Sequence, residues 1–176
     1  VARVLLVALA LVLVPPASAA QRRSEGTIPA RGVFVPGVSL AGVGLGMTQA
    51  QVKQHWGPFY KLCANNPYCT KTKPVWLFTY THGEPVGVAA KFDTHGRTVA
   101  VFTLGAINGW KTSDGLRIAD PISTLYTIYP QARIYTKCIG FEAYSYRKNG
   151  VTTTFYLSTG VVYGFALTAP TEPICQ

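Results

Sequence analysis

The feature that most constrains this chain is a helix-and-turn pattern that occurs twice. Val43, Leu45, Val52 and Trp56 recur with identical spacing as Leu116, Ile118, Leu125 and Tyr129. In the first occurrence the glycine-rich run Gly42-Val43-Gly44-Leu45-Gly46-Met47 leads into Thr48, a good helix cap, and Gln51 stands where a capping box requires it. Met47 and Val52 are placed for a hydrophobic staple, and Val52 and Trp56 lie one turn apart on one face. Gly57-Pro58 then stops the helix, which the pattern predicts over 49–56. In the second occurrence Asp120 is the expected cap, Pro121 takes the first helical position and Pro130 is the stop.

Segments rich in β-branched and aromatic residues follow each helix, separated by turn residues. Strands are expected at 75–81, 86–92 and 97–104, with turns at 82–85 and 93–96. The second half gives strands at 140–146, 151–157 and 161–168, with turns at 148–150 and 158–160. Gly96, Val99 and Val101 match Gly160, Tyr163 and Phe165 at a shorter offset than the helices do. The first half therefore carries an insertion after its helix, the loop from Cys63 to Cys69.

These signals predict an α+β fold of two tandem repeats, each a short helix followed by a roughly three-stranded antiparallel meander. The first repeat spans 33–104 and the second 115–176, with a linker at 105–114. A unit this small buries too little apolar surface to be secure alone, so the two are expected to pack together or share a sheet.

The N-terminal stretch reads as a signal peptide over residues 1–20. Arg3 precedes an apolar run from Val4 to Val14, Pro15-Pro16 breaks it, and Ala17-Ser18-Ala19 supplies small residues for cleavage after Ala19 or Ala20. The run is about half the roughly 20 residues needed to span a bilayer. A flexible lead at 21–32 follows, and no later stretch is long and apolar enough for a transmembrane segment. The mature chain is expected to be secreted or otherwise extracytoplasmic.

In that oxidising setting Cys63, Cys69, Cys138 and Cys175 read as disulfide cysteines, with three pairings open. Local spacing favours Cys63–Cys69 across a turn-rich loop, and Cys138–Cys175 tying down the tail. A metal site built from Cys63, Cys69 and His55 or His82 is disfavoured, because that cysteine spacing fits no common zinc knuckle.

Hydrophobic residues make up 48% of the chain and charged residues 13%, which excludes a disordered polypeptide. Lysine and arginine number 16 against 7 acids, a formal charge of +9. The cations are dispersed, with Arg22-Arg23, Lys71, Lys73 and Arg147-Lys148 the densest groups. Nucleic acid is not an expected partner, since no basic stripe or nucleic-acid motif occurs. Attraction to an anionic cell-wall polymer is the alternative that this charge supports.

The run Gly46-Met47-Thr48-x-x-x-Val52 followed by Gly57 resembles the helix signature of the β-lactamase-inhibitor-protein-like fold. That group includes the small outer-membrane assembly lipoproteins of the BamE type, and its inhibitor members carry the unit in tandem. The resemblance implies a fold and a habit of binding proteins through a sheet face. It does not imply β-lactamase inhibition, and no binding residue is carried over. No lipidation cysteine follows the leader, and the family's first helix has no counterpart before Gly42.

Catalytic constellations are sparse. Asp120 is best spent as a cap, Glu84 and Asp93 sit in turns, and Glu25 and Glu172 lie in tails. Asp93-x-His95 could belong to a triad, but no G-x-S-x-G motif accompanies it. A small secreted hydrolase relying on His82 or His95 is the weakest alternative. The Gly42-x-Gly44-x-Gly46 run lacks the lysine and spacing of a phosphate loop and reads as a close approach before the helix.

Aromatic side chains offer the better handle. Trp76, Phe78 and Tyr80 alternate on one strand, and Tyr144 and Tyr146 occupy matching positions in the second half, so each set shares a face. That face either packs on the helices or forms a shallow groove for a protein or glycan partner. The function expected is an exported, non-enzymatic binding or scaffold protein acting on a protein partner at the cell envelope or outside it, inhibition being one form of that role. No cofactor and no metal are expected.

Overall fold

The computed structural model describes residues 32–58, 60–62, 75–79, 87–105 and 109–175. The first half carries β1 (Val33–Val35), β2 (Ser39–Leu40), α1 (Gln49–Trp56), β3 (Lys61–Leu62), β4 (Val75–Thr79), β5 (Gly87–Phe92) and β6 (Thr98–Leu104). The second carries β7 (Lys111–Thr112), α2 (Ile122–Ile128), β8 (Arg133–Cys138), β9 (Phe141–Lys148), β10 (Val151–Ser158) and β11 (Val161–Thr168).

The fold is predominantly β, which corrects the expected α+β pair of helix-plus-meander repeats. One antiparallel sheet of eight strands runs in the order β3-β4-β5-β6-β11-β10-β9-β8. Its seam is the pairing of β6 with β11 from Ala100↔Thr168 to Leu104↔Gly164. Burial drives this merger, because neither half has enough apolar surface to close a core by itself.

Further elements depart from the expected repeats. β3 and β8 each add a fourth strand to the expected three-stranded meanders, and a three-stranded sheet, β2-β1-β7, ties the opening segment to the stretch expected as a linker. There β1 runs parallel to β7, with Phe34 opposite Thr112. Trp110, inside that stretch, is fully buried.

α1 forms where its local signals place it. The Gln51 N–H donates to Thr48 Oγ1 at 3.3 Å, and the Thr48 N–H donates to Gln51 Oε1 at 2.8 Å, completing the capping box. Val52 and Trp56 are buried, and the Trp56 indole donates to the Ala41 carbonyl at 3.1 Å. The glycine run before it is a close approach: a Cβ on Gly44 would meet the Val38 carbonyl oxygen at 2.6 Å. The same run bonds to the start of β6, through Gly46 N–H to Thr98 O and Thr98 Oγ1 to Gly44 O.

α2 begins differently from the sequence expectation. Pro121 is its cap residue and gives no side-chain bond, while Asp120 Oδ2 instead accepts from the Arg117 N–H at 2.7 Å in the preceding turn. The Ile122 N–H, one of the donors a helix start leaves open, goes to the Gly160 carbonyl at 3.0 Å. A carbonyl of the β10–β11 turn thus takes over part of the capping role.

Residues paired across an antiparallel sheet share a face. On the face under the helices, Val88, Ala90, Val101, Phe155, Phe165 and Leu167 meet Val52, Trp56, Leu125 and Tyr129. Phe34 of the small sheet stacks on Phe165 at 5.1 Å and stands edge-on to Phe155. The opposite face holds a smaller cluster of Ala143, Tyr156, Ala166 and Ile174. The C-terminal tail crosses it, held by the Cys138–Cys175 disulfide and by a buried ion pair of Lys91 with Glu172 at 2.9 Å. Burying such a pair costs desolvation, so its main effect is to fix where the tail lies.

Candidate protein-binding edge

The aromatic residues expected to bind a partner divide into three groups. Tyr144 is 5% exposed and belongs to the core, so of the two readings of its face the one that packs it on the helices holds, and it drops out as a binding residue. Its hydroxyl donates to Glu142 Oε2 at 3.0 Å, and its ring stands edge-on to Tyr126 of α2 at 5.9 Å. Tyr146 is half-buried, packed against the same core, and stacks on Tyr129 at 6.3 Å. Both are covered because α2 lies across this end of the sheet. Trp76 and Phe78 lie in β4, where the backbone pairs Trp76 with Ala90 and Phe78 with Val88. Tyr80 lies outside the described residues, as do Cys63, Cys69 and His82.

Burial also fixes the tyrosine acidities. Burial pushes the Tyr144 hydroxyl up to about 12, with the neighbouring Glu142 carboxylate adding to the shift. Burial raises Tyr129, Tyr146 and Tyr156 as well. The Tyr129 hydroxyl donates to Asp114 Oδ2 at 2.9 Å, and that carboxylate opposes its ionisation further.

The Asp93-x-His95 pair closes the β5–β6 hairpin. Asp93 Oδ1 accepts from the backbone N–H groups of Arg97 and His95 at 2.8 and 2.9 Å. The Arg97 bond is the main reason its carboxyl sits below the ordinary range. Asx geometry of this kind makes turns.

Of the seven large hydrophobics exposed among the described residues, four belong to β8, its following turn and α2, at the edge next to β9. β8 is the last strand in the order, so among the described residues one of its edges pairs with no strand. Ile134 is 51% exposed, Tyr135 66% and Ile139 80%, and Tyr126 adds an exposed ring from α2 beside them. Exposed aliphatic and aromatic groups are unremarkable singly; their concentration on one edge strand and its turn is informative.

The strand is firmly held. Arg133 pairs with Ser145, Ile134 with Tyr144, Lys137 with Glu142 and Cys138 with Phe141, while Tyr135 is an extra residue in a bulge. At the start of β8 the Arg133 guanidinium donates to the Ala132 and Pro130 carbonyls. At its end Cys138 is bonded to Cys175, with the two Cα atoms 5.6 Å apart. Beside the strand lies a cleft of about 320 Å³. It is lined by the cross-strand row Lys137, Glu142 and Leu157 and by the Thr159–Gly160 turn.

Sequence reasoning left β8 as an unassigned connection. The available signal was Ile134-Tyr135-Thr136 between two cations, rich in β-forming residue types. That run lacks the alternating pattern of a strand with one buried face. Comparison with family models, with curated proteins and with solved structures finds no match for this chain.

Proposed function

We propose that this chain is an exported, non-enzymatic binding module that engages a protein partner through β8 and the turn after it. The observation that carries the reading is the exposure of Ile134, Tyr135 and Ile139 on an edge strand pinned by a disulfide. Apolar anchors on a preorganised backbone lose little entropy on binding, and this favours association with another protein. The leader-like residues 1–20 and the disulfide are consistent with action at the cell envelope or outside it.

The test uses the oxidised mature chain as bait against the native secreted and envelope fraction, beside Tyr135→Ser and Ile139→Ser variants. A protein retained at moderate salt by the parent chain and lost by both variants supports the reading. Equal retention by all three baits overturns it.

The excess of 16 basic over 7 acidic residues favours a second reading, retention on an anionic wall polymer. That interaction is electrostatic, so it would collapse at moderate salt and ignore the Ile139→Ser substitution.

A further inference from the structure

The outer edge of β8 carries backbone hydrogen-bonding groups, apolar side chains and positive charge together. A strand's unpaired edge is a template for another extended chain, which gains affinity from main-chain bonds and specificity from alternate side chains. Arg133 and Lys137 are both exposed, and they lie on opposite faces of the sheet. Lys137 ends the helix-side row that runs Leu157, Glu142, Lys137, whereas Arg133 pairs with Ser145 on the tail-side face. The next residue along each row belongs to whatever strand is added.

Resting on the β8 reading above, we infer that the partner contributes an extended acidic segment. It adds as a ninth strand to the sheet, with carboxylates beside Lys137 on one face and Arg133 on the other. A second copy of this chain is disfavoured as occupant. In antiparallel pairing of two copies each cation can share a row only with its own counterpart, and like charges directly opposite destabilise a strand pair. The bulge at Tyr135 and the edge cations are also the devices that keep identical edges apart. An acidic strand of a different protein turns those cations from repulsive to attractive. The bulge divides the contact into two short stretches, with the exposed Ile139 at the end nearer the cleft.

The experiment uses labelled synthetic peptides of one Val-Val-X-X repeat, which places X on both faces of a strand, with X as Glu, Gln or Lys. A fourth probe is the Glu peptide N-methylated at alternate residues. Binding to the oxidised mature chain is read by fluorescence anisotropy. The Glu peptide is expected to bind about tenfold tighter than the Gln peptide, the scale of two exposed ion pairs. N-methylation should abolish its binding, and Lys137→Glu, which leaves Arg133 in place, should erase the preference for the Glu peptide. Equal binding of the Glu, Gln and Lys peptides, or undiminished binding of the N-methylated one, overturns strand addition. Failure here is separable from failure of the β8 reading. If no peptide binds but Ile139→Ser still loses the captured partner, strand addition falls and the site stands. If that variant keeps the partner, the site falls too.

Discussion

Gly164 in β11 lies so close to β6 that a Cβ built on it would stand 2.0 Å from the carbonyl oxygen of Thr103. The contact sits at the seam where the two halves become one sheet, with Gly164 paired to Leu104 and Phe165 to Thr103. Any side chain here pushes backbone against backbone, which no rotamer change relieves. Gly164→Ala is therefore expected to cost at least about 1–3 kcal/mol. Urea unfolding would measure it, and an unchanged midpoint would show that the seam has slack.

The capping box of α1 gives a smaller and cleaner effect. Thr48→Ala removes the oxygen that receives the Gln51 N–H and should cost about 1 kcal/mol, while Thr48→Ser should restore most of it. Equal stability of the Ala and Ser variants would mean that contacts of Val52 and Trp56 alone hold the helix in place.

Tyr144 separates core from interface. Loss of its buried ring in Tyr144→Ala should cost about 3–5 kcal/mol, as for other large aromatics. Tyr144→Phe loses only the bond to Glu142, about 1 kcal/mol. Both variants, compared as folded protein, should retain the partner in the capture assay. A Tyr144→Phe chain that is fully stable yet loses its partner would return this residue to the binding surface.

Alkaline pH should unfold the protein through its buried phenols. The Tyr144 hydroxyl keeps its proton to about 12 in the native state, whereas an unfolded tyrosine releases it near the ordinary phenol value of 10.0. Between those values the unfolded state binds fewer protons, so stability falls as pH rises. The contribution is fully present below the unfolded value and lost on passing the folded one. Tyr129, Tyr146 and Tyr156 act in the same direction. Phenolate absorbance from these groups should appear together with loss of tertiary circular dichroism. Its appearance in a still-folded protein would contradict their burial.

Legibility in the sequence followed the range of the interaction responsible. α1 was readable because Thr48, Gln51, Val52 and Trp56 act within one turn of each other. The β9–β10 hairpin was readable from Asn149-Gly150, both of which adopt positive φ in the turn. Asp120 was misread because helix capping depends on where the Gly160 carbonyl lies, a tertiary fact. The pairing of β6 with β11 and the parallel pairing of β1 with β7 are long-range choices that a local pattern does not encode.

The candidate site was hidden for a related reason. Alternation identifies residues that share a face but not which face a helix will cover, so Tyr144 and Tyr146 stood out although α2 packs over them. β8 escaped notice because its exposed Ile134 and Tyr135 mimic neither a core strand nor a polar loop.

The most direct measurement is amide hydrogen exchange on the oxidised mature chain, alone and saturated with its captured partner. The account predicts slowed exchange concentrated in Arg133–Cys138 and at Ile139 in the following turn, with little change in α1 or the β5–β6 hairpin. Unaltered exchange in β8 with protection arising on β4 or over α2 would contradict it.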